Sequence, residues 1–61
     1  MQAILDGENL EGLNLWRAML KWASLKGANL DYAFLNGADL KDADIEGASF
    51  EGAILDGVKT F

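Results

Sequence analysis

One five-residue unit is repeated along almost the entire chain. Residues 23–57 read A-S-L-K-G, A-N-L-D-Y, A-F-L-N-G, A-D-L-K-D, A-D-I-E-G, A-S-F-E-G and A-I-L-D-G. We call the large apolar residue of each unit its centre, and eleven consecutive centres, from Leu5 to Leu55, are Leu, Ile or Phe. All nine Ala residues lie two positions before a centre, and all seven Gly residues lie two positions after one. A repeat this strict constrains the architecture before any single element is considered.

A period of five is incompatible with a long helix or a flat strand. On an α-helix a step of five residues rotates the side chain by about 140°, so the centres would not form a stripe. On a strand an odd step sends successive centres to opposite faces. A chain that bends every five residues places all centres inside, and Gly after the centre suits the positive φ of a type II turn. The pattern therefore predicts a solenoid whose coils stack about 4.8 Å apart.

The units resemble the A-(D/N)-L-x-x motif of the pentapeptide-repeat family. Ala28-Asn29-Leu30 and Ala38-Asp39-Leu40 match it outright, and Ala43-Asp44-Ile45 and Ala48-Ser49-Phe50 are variants of it. Periodicity alone leaves three-sided and four-sided coils open. The resemblance implies an all-β fold, a right-handed quadrilateral β-helix with twenty residues per coil. Residues 1–61 would then form a single solenoid domain of about three coils and twelve pentapeptide repeats.

Composition argues against several classes of function. The chain has no His and no Cys, which removes the common nucleophile–base pairs and the usual zinc ligands. Its carboxylates are expected on convex faces without a pocket to shift their pKa values. We therefore expect no enzymatic activity, no cofactor and no metal site. The net charge of −5 argues against direct binding to nucleic-acid phosphates.

The sequence also lacks membrane and export signals. No apolar run has the length of a membrane span. The N-terminal residues M-Q-A-I-L-D-G have neither the basic region nor the apolar core of a signal peptide. We expect no membrane insertion and a cytoplasmic location.

Twenty residues per coil would align the outward charges in columns. Asp6, Lys26 and Glu46 would stack with alternating sign, which predicts pairing between coils. A second column, which we call the acidic stripe, would stack charges of one sign. It is interpreted either as a solvated surface or as a docking stripe for a basic partner, and it consists of Glu11, Asp31 and Glu51.

Large aromatic, apolar and basic side chains also occupy outward positions. Such residues are enriched at the centres of protein interfaces, so we interpret them as a partner-binding surface. The alternative is that Trp and Tyr lie flat over neighbouring turns and cover the backbone. This surface, called the aromatic belt below, comprises Trp16, Arg17, Met19, Trp22, Tyr32 and Phe34.

Three functions remain open from the sequence. The first is a non-enzymatic structural or protein–protein interaction module that presents the aromatic belt and open solenoid ends. The second is a DNA mimic that inhibits a DNA-binding enzyme such as gyrase, as some members of the resembled family do. The third is an excised or designed fragment of a longer solenoid. Neither end has a recognisable cap, and Leu13, Val58 and Phe61 lie there. We therefore expect a protein partner or self-association by end stacking.

Overall fold

The computed structural model describes residues 2–60, which form a stack of four-sided coils. In each unit the residue before the centre forms an isolated parallel bridge, and the two residues after the centre form a turn. Residues 2–60 contain no helix and no strand longer than a single bridge residue. Met1 and Phe61 lie outside the described residues, and so does the expectation that Phe61 lies at the C-terminal end.

The bridges define four faces: face 1 (Ile4, Ser24, Asp44), face 2 (Asn9, Asn29, Ser49), face 3 (Asn14, Phe34, Ile54) and face 4 (Met19, Asp39, Lys59).

Each corner is a turn closed by one backbone hydrogen bond. The carbonyl of a centre accepts from the N–H three residues later, as Leu25 does from Ala28 at 3.0 Å. The second residue after each centre from Leu5 to Leu55 has a positive φ, as the third position of a type II turn requires. Gly holds this position at seven corners. The other four corners carry Arg17, Trp22, Tyr32 and Asp42, with φ of 58°, 64°, 61° and 60°.

The coils are joined by a repeating set of backbone hydrogen bonds. The N–H groups of the centres from Leu5 to Leu40, and of the corner residues from Gly7 to Gly37, donate to carbonyls nineteen residues further on, as Leu30 does to Ser49 at 2.8 Å. The bridge residue donates in the opposite direction, as Asn29 does to Glu8 at 2.9 Å. Every bridge joins residues twenty apart. Twenty residues correspond to four units of five, so each coil has four sides rather than three.

The core lies in the middle coil, because only that coil is covered on both sides. Leu25, Leu30 and Leu35 have no exposed surface, and the alanines between them are at most 1% exposed. Among the centres of the neighbouring coils only Leu20 is buried, at 8% exposed, whereas Leu55 is 41% exposed. The small Ala side chains let the coils approach to backbone hydrogen-bonding distance, while the leucines fill the interior.

This gradient predicts different costs for truncating different centres. Leu35→Ala removes a fully buried side chain and should lower the free energy of unfolding by roughly 2–5 kcal/mol. Thr60→Ala changes an exposed side chain in the corresponding position of the last unit and should change it by less than about 0.5 kcal/mol. Urea denaturation followed by circular dichroism compares the two. Equal losses at Leu35 and Thr60 would contradict a core centred on the middle coil.

Candidate protein-interaction surface

Five members of the aromatic belt lie on faces 3 and 4 of the first two coils or at the corners that follow them, and Tyr32 lies at the corner that follows face 2. Its members are largely open to solvent, with exposed fractions of 90% for Met19, 59% for Trp16 and 47% for Phe34. Phe34 occupies face 3 between Asn14 and Ile54. Trp16 and Phe34, together with Asn14 and Asn36, line an open depression of about 320 Å³. Residues from two successive coils thus form one apolar groove.

Two cations rest on the indole rings of the belt. The guanidinium carbon of Arg17 lies 4.4 Å from the centroid of Trp16. The Lys21 ammonium lies 4.5 Å from that of Trp22. A contact of this kind at an exposed site contributes about 0.5–1 kcal/mol. These contacts restrain the two indoles and keep positive charge at the surface of the belt.

Two belt residues also cover backbone of the next coil. A Cβ added to Gly52 would lie 2.5 Å from the Tyr32 ring atoms Cδ1 and Cε1, so the ring lies directly over this glycine. A Cβ added to Gly37 would lie 3.3 Å from Cγ of Arg17. Tyr32 nevertheless remains 54% exposed. The alternative considered from the sequence, in which an aromatic ring lies flat over a neighbouring turn, therefore holds for one face of the Tyr32 ring.

The first N–H after a centre is used locally rather than between coils. Where Asn or Asp precedes the centre, its Oδ1 accepts this hydrogen bond, as Asn29 does from Asp31 at 2.9 Å. Asn14 does the same for Trp16 at 3.0 Å. This is the physical reason for the (D/N) position of the repeat, since the side chain caps the turn that follows it. Five units show this contact, through Asn9, Asn14, Asn29, Asp39 and Asp44.

Four units have no capping contact among residues 2–60, because Ile4, Met19, Phe34 or Ile54 precedes the centre, and the groove lies at the Phe34 unit. Phe34 stands in the capping position and has no acceptor, so the N–H of Asn36 makes no hydrogen bond to any of residues 2–60. Asn36 lines the groove beside Trp16 and Phe34. The groove thus combines two aromatic walls with a backbone donor that has no acceptor among the described residues.

The two Ser-containing units use a different cap, which the sequence interpretation missed. Asp31 Oδ1 accepts from the backbone N–H of Glu51 at 2.9 Å and also from the Ser49 hydroxyl. Asp6 makes the same pair of contacts with Lys26 and Ser24. Asp31 of the acidic stripe is therefore a structural acceptor between coils. An Asp followed eighteen residues later by Ser is the signal that could have identified it.

The charges of the outer surface are divided between two halves. Faces 1 and 2 with their corners carry seven acidic residues and one basic residue, Lys26, while faces 3 and 4 carry three acidic and four basic residues. The halves therefore have net charges of −6 and +1, which together give −5. The sequence predicted that Lys26 pairs with Asp6 and Glu46, and this prediction is wrong. The ion pair of Lys26 is with Asp44, whose Oδ2 lies 3.5 Å from Lys26 Nζ. Asp6 instead accepts from backbone and Ser24, which draws it away from the ammonium.

Residues 2–60 contain no cluster of three or more His, Cys, Asp or Glu side chains arranged to hold a metal ion. They also contain no helix that is long and apolar enough to span a membrane.

Comparison with known proteins identifies the family. The family model described as "Pentapeptide repeats (8 copies)" matches residues 2–31 and 18–57. The chain belongs to the pentapeptide repeat family. The crystal structure of a pentapeptide repeat protein, Rfr23, from the cyanobacterium Cyanothece 51142 is similar, with a TM-score of 0.92 and 36% identity over 95% of this chain. The chain spans 40% of the length of that protein chain. No match was found among curated proteins.

Membership confirms the right-handed β-helix expected from the resemblance. Pentapeptide repeat proteins are generally structural scaffolds without enzymatic activity. The repeat itself explains the interior, the corners and the coil-to-coil hydrogen bonds. The belt departs from the repeat at the corners of Arg17, Trp22 and Tyr32 and at the capping position of Phe34.

The contact between Tyr32 and Gly52 predicts a position-specific effect of Ala substitution. Gly52→Ala and Gly27→Ala both place a Cβ at positive φ, which costs about 1–2 kcal/mol. Gly52→Ala also forces the Tyr32 ring to move, which should add about 1–3 kcal/mol, whereas the space beside Gly27 is open within 4 Å. Denaturation of both variants measures the difference. In a Tyr32→Gly background the extra loss at Gly52 should disappear, and its persistence would contradict the contact.

Proposed function

We propose that this pentapeptide repeat protein is a non-enzymatic interaction module, a rigid block of about three coils and twelve repeats that binds a protein partner through the aromatic belt. The observation that carries the proposal is the groove between Trp16 and Phe34. It presents apolar surface and a free backbone donor at one place. Exposed apolar surface of this kind on a small protein marks an interaction site.

The backbone conformation of the belt supports the same interpretation. Arg17, Trp22 and Tyr32 have positive φ, a conformation that is unfavourable for bulky residues and neutral for Gly. Each costs about 1–2 kcal/mol relative to an ordinary backbone conformation. A Gly at these corners would make the same turn without that cost. The side chains therefore serve the outer surface, and residues held in strained conformations cluster at functional sites.

The charge distribution indicates the chemistry of the partner. The half that carries five of the six belt residues is slightly positive, with Arg17, Lys21, Lys41 and Lys59 among its charges. Its groove offers the N–H of Asn36 to an acceptor. The best match is a protein segment with apolar anchors, a carbonyl or carboxylate directed at Asn36, and acidic flanking residues.

The DNA-mimic alternative rests on the acidic half of the surface. Duplex DNA carries one negative charge per about 1.7 Å of its axis, counting both strands, whereas the net charge of −6 on the acidic half is spread over three coils about 4.8 Å apart, or about one charge per 2.4 Å. Asp31, the middle member of the acidic stripe, already accepts two hydrogen bonds within the chain. The surface therefore resembles a duplex less well than it matches a belt partner. A gyrase supercoiling assay tests this alternative directly, because inhibition that is lost on Glu11→Gln/Glu51→Gln would favour it.

The belt proposal predicts that binding and stability can be separated. In Trp16→Ser/Trp22→Gly the groove loses one wall, and the corner at Trp22 gains the residue that suits its φ. We expect circular dichroism and the unfolding midpoint to be nearly unchanged, while affinity for the partner falls at least 10-fold. The measurement is retention of cellular proteins on immobilised chain, followed by calorimetric titration of the retained protein.

The matched control changes the opposite side of the solenoid. Glu11→Gln/Glu51→Gln alters two side chains of the acidic stripe on face 2 and should retain the same partner with unchanged affinity. A partner that binds the belt variant and the native chain equally, or that is lost with the stripe variant, would contradict the proposal.

A further inference from the structure

We infer that the groove between Trp16 and Phe34 binds a proline-rich segment of the partner in the polyproline II conformation. The inference rests on the proposed function and deepens it, because it names the conformation and the charge spacing of the segment that the belt binds. Three features carry it: the unpaired backbone donors of the groove, its two aromatic walls and the opposite charges on either side of it.

The backbone of the groove has unpaired donors, whereas its carbonyls are already used. The carbonyls of Phe34 and Asn36 accept from Leu15 at 2.7 Å and from Arg17 at 2.8 Å. The N–H of Asn36 has no acceptor among residues 2–60, because Phe34 cannot cap its turn. The N–H of Asp56, one coil further along the same corner, has none among them for the same reason. A segment that binds here has to bring acceptors and few N–H groups.

Proline meets this requirement better than other residues. Its carbonyl accepts hydrogen bonds, and it has no N–H that would lose water on binding without finding an acceptor. Aromatic-lined grooves are a recurring binding site for proline-rich segments. Trp16 and Phe34, which are 59% and 47% exposed, form the two aromatic walls. Because such a segment is already in the polyproline II conformation when free, it loses little conformational entropy on binding.

Opposite charges flank the groove along the coil axis. Arg17 and Asp56 lie at the same corner of the first and third coils, and the Arg17 guanidinium carbon rests 4.4 Å from the centroid of Trp16. Both side chains are exposed, and neither forms an ion pair with any of residues 2–60. Two coil spacings of about 4.8 Å place these corners about 9.6 Å apart along the axis. Charge complementarity therefore requires an acidic and a basic residue at this separation.

This separation fits one turn of polyproline II. The conformation has three residues per turn and rises about 3.1 Å per residue, so residues i and i + 3 lie on one side about 9.3 Å apart. An extended strand places residues of one side about 6.7 Å or about 13 Å apart. An α-helix offers residues i and i + 7 at about 10.5 Å, but its carbonyls are used internally and cannot accept from Asn36. The segment would place an acidic residue at Arg17 and a basic residue at Asp56, with prolines between them.

Three synthetic peptides test the conformation and the spacing. The matched peptide is acetyl-Pro-Pro-Glu-Pro-Pro-Lys-Pro-Pro-amide. The spacing control, acetyl-Pro-Pro-Glu-Pro-Pro-Pro-Lys-Pro-amide, has the same composition with the charges four residues apart, and the third peptide has Gly in place of every Pro of the matched peptide. Calorimetric titration of the native chain should show affinity at least fivefold lower for the spacing control and at least 10-fold lower for the Gly peptide.

Nuclear magnetic resonance locates the contact. On titration with the matched peptide, the amide proton of Asn36 should shift downfield, because its N–H gains an acceptor. The amide proton of Asp31, which Asn29 already caps on face 2, should not shift and is the internal control.

Phe34→Asn separates binding from folding. The new side chain can cap the turn as Asn14 and Asn29 do, while the groove loses one wall. The unfolding midpoint should rise, and affinity for the matched peptide should fall at least 10-fold. Ile4→Asn introduces the same side chain before a centre on face 1, on the opposite side of the coil, and should leave the affinity unchanged.

Asp56→Lys tests the register of the segment. The native chain should prefer the matched peptide to its variant with Glu in place of Lys, and Asp56→Lys should reverse this preference. Asp42→Lys makes the same change in net charge at the corner that follows face 4 and should keep the native preference. A reversal by both substitutions, or by neither, would overturn the inference.

The remaining outcomes distinguish this inference from the proposed function. Equal affinities for the matched peptide and the spacing control, no binding of the matched peptide, or an Asn36 amide that does not shift would each overturn the inference. A cellular protein that binds the belt through a helical segment would overturn it and leave the proposed function standing. A chain that retains no cellular protein contradicts the proposed function instead, while the peptide affinities still test the inference.

Discussion

The coil-to-coil hydrogen bonds are the interaction on which the rest of this structure depends. The centres from Leu5 to Leu40 donate to carbonyls nineteen residues later, and the bridge residues from Ser24 to Lys59 donate twenty-one residues back, so neighbouring coils are held in one register. This works only because a positive φ turns the chain at each corner. A corner that failed to turn would displace every later centre from the interior. The strict repeat is the consequence of that requirement, since every unit must meet the same backbone geometry.

The repeat fills the interior and supplies the backbone hydrogen bonds between coils. The outward side chains can therefore vary as long as each turn still forms. The capping contact shows how this limit operates. Asn or Asp before the centre satisfies the first N–H of the turn, and Asp31 with Ser49 achieves the same result across two coils. Where Phe34 replaces the capping residue, the chain gives up that contact and exposes an aromatic ring beside an open donor. The loss of a turn contact and the exposure of an aromatic ring occur at the same residue.

The sequence by itself determined the solenoid, the inward centres, the Gly corners and the outward position of the aromatic belt. It could do so because a strict local repeat makes every unit obey the same steric rules, and the motif resemblance supplied the four sides and the hand. Only the tertiary structure decided which outward residues contact each other. The Tyr32 ring over Gly52, the groove between Trp16 and Phe34, the acceptor role of Asp31 and the pairing of Lys26 with Asp44 all join residues of different coils. Such contacts depend on side-chain rotamers and on distances between coils, which a period of five does not specify.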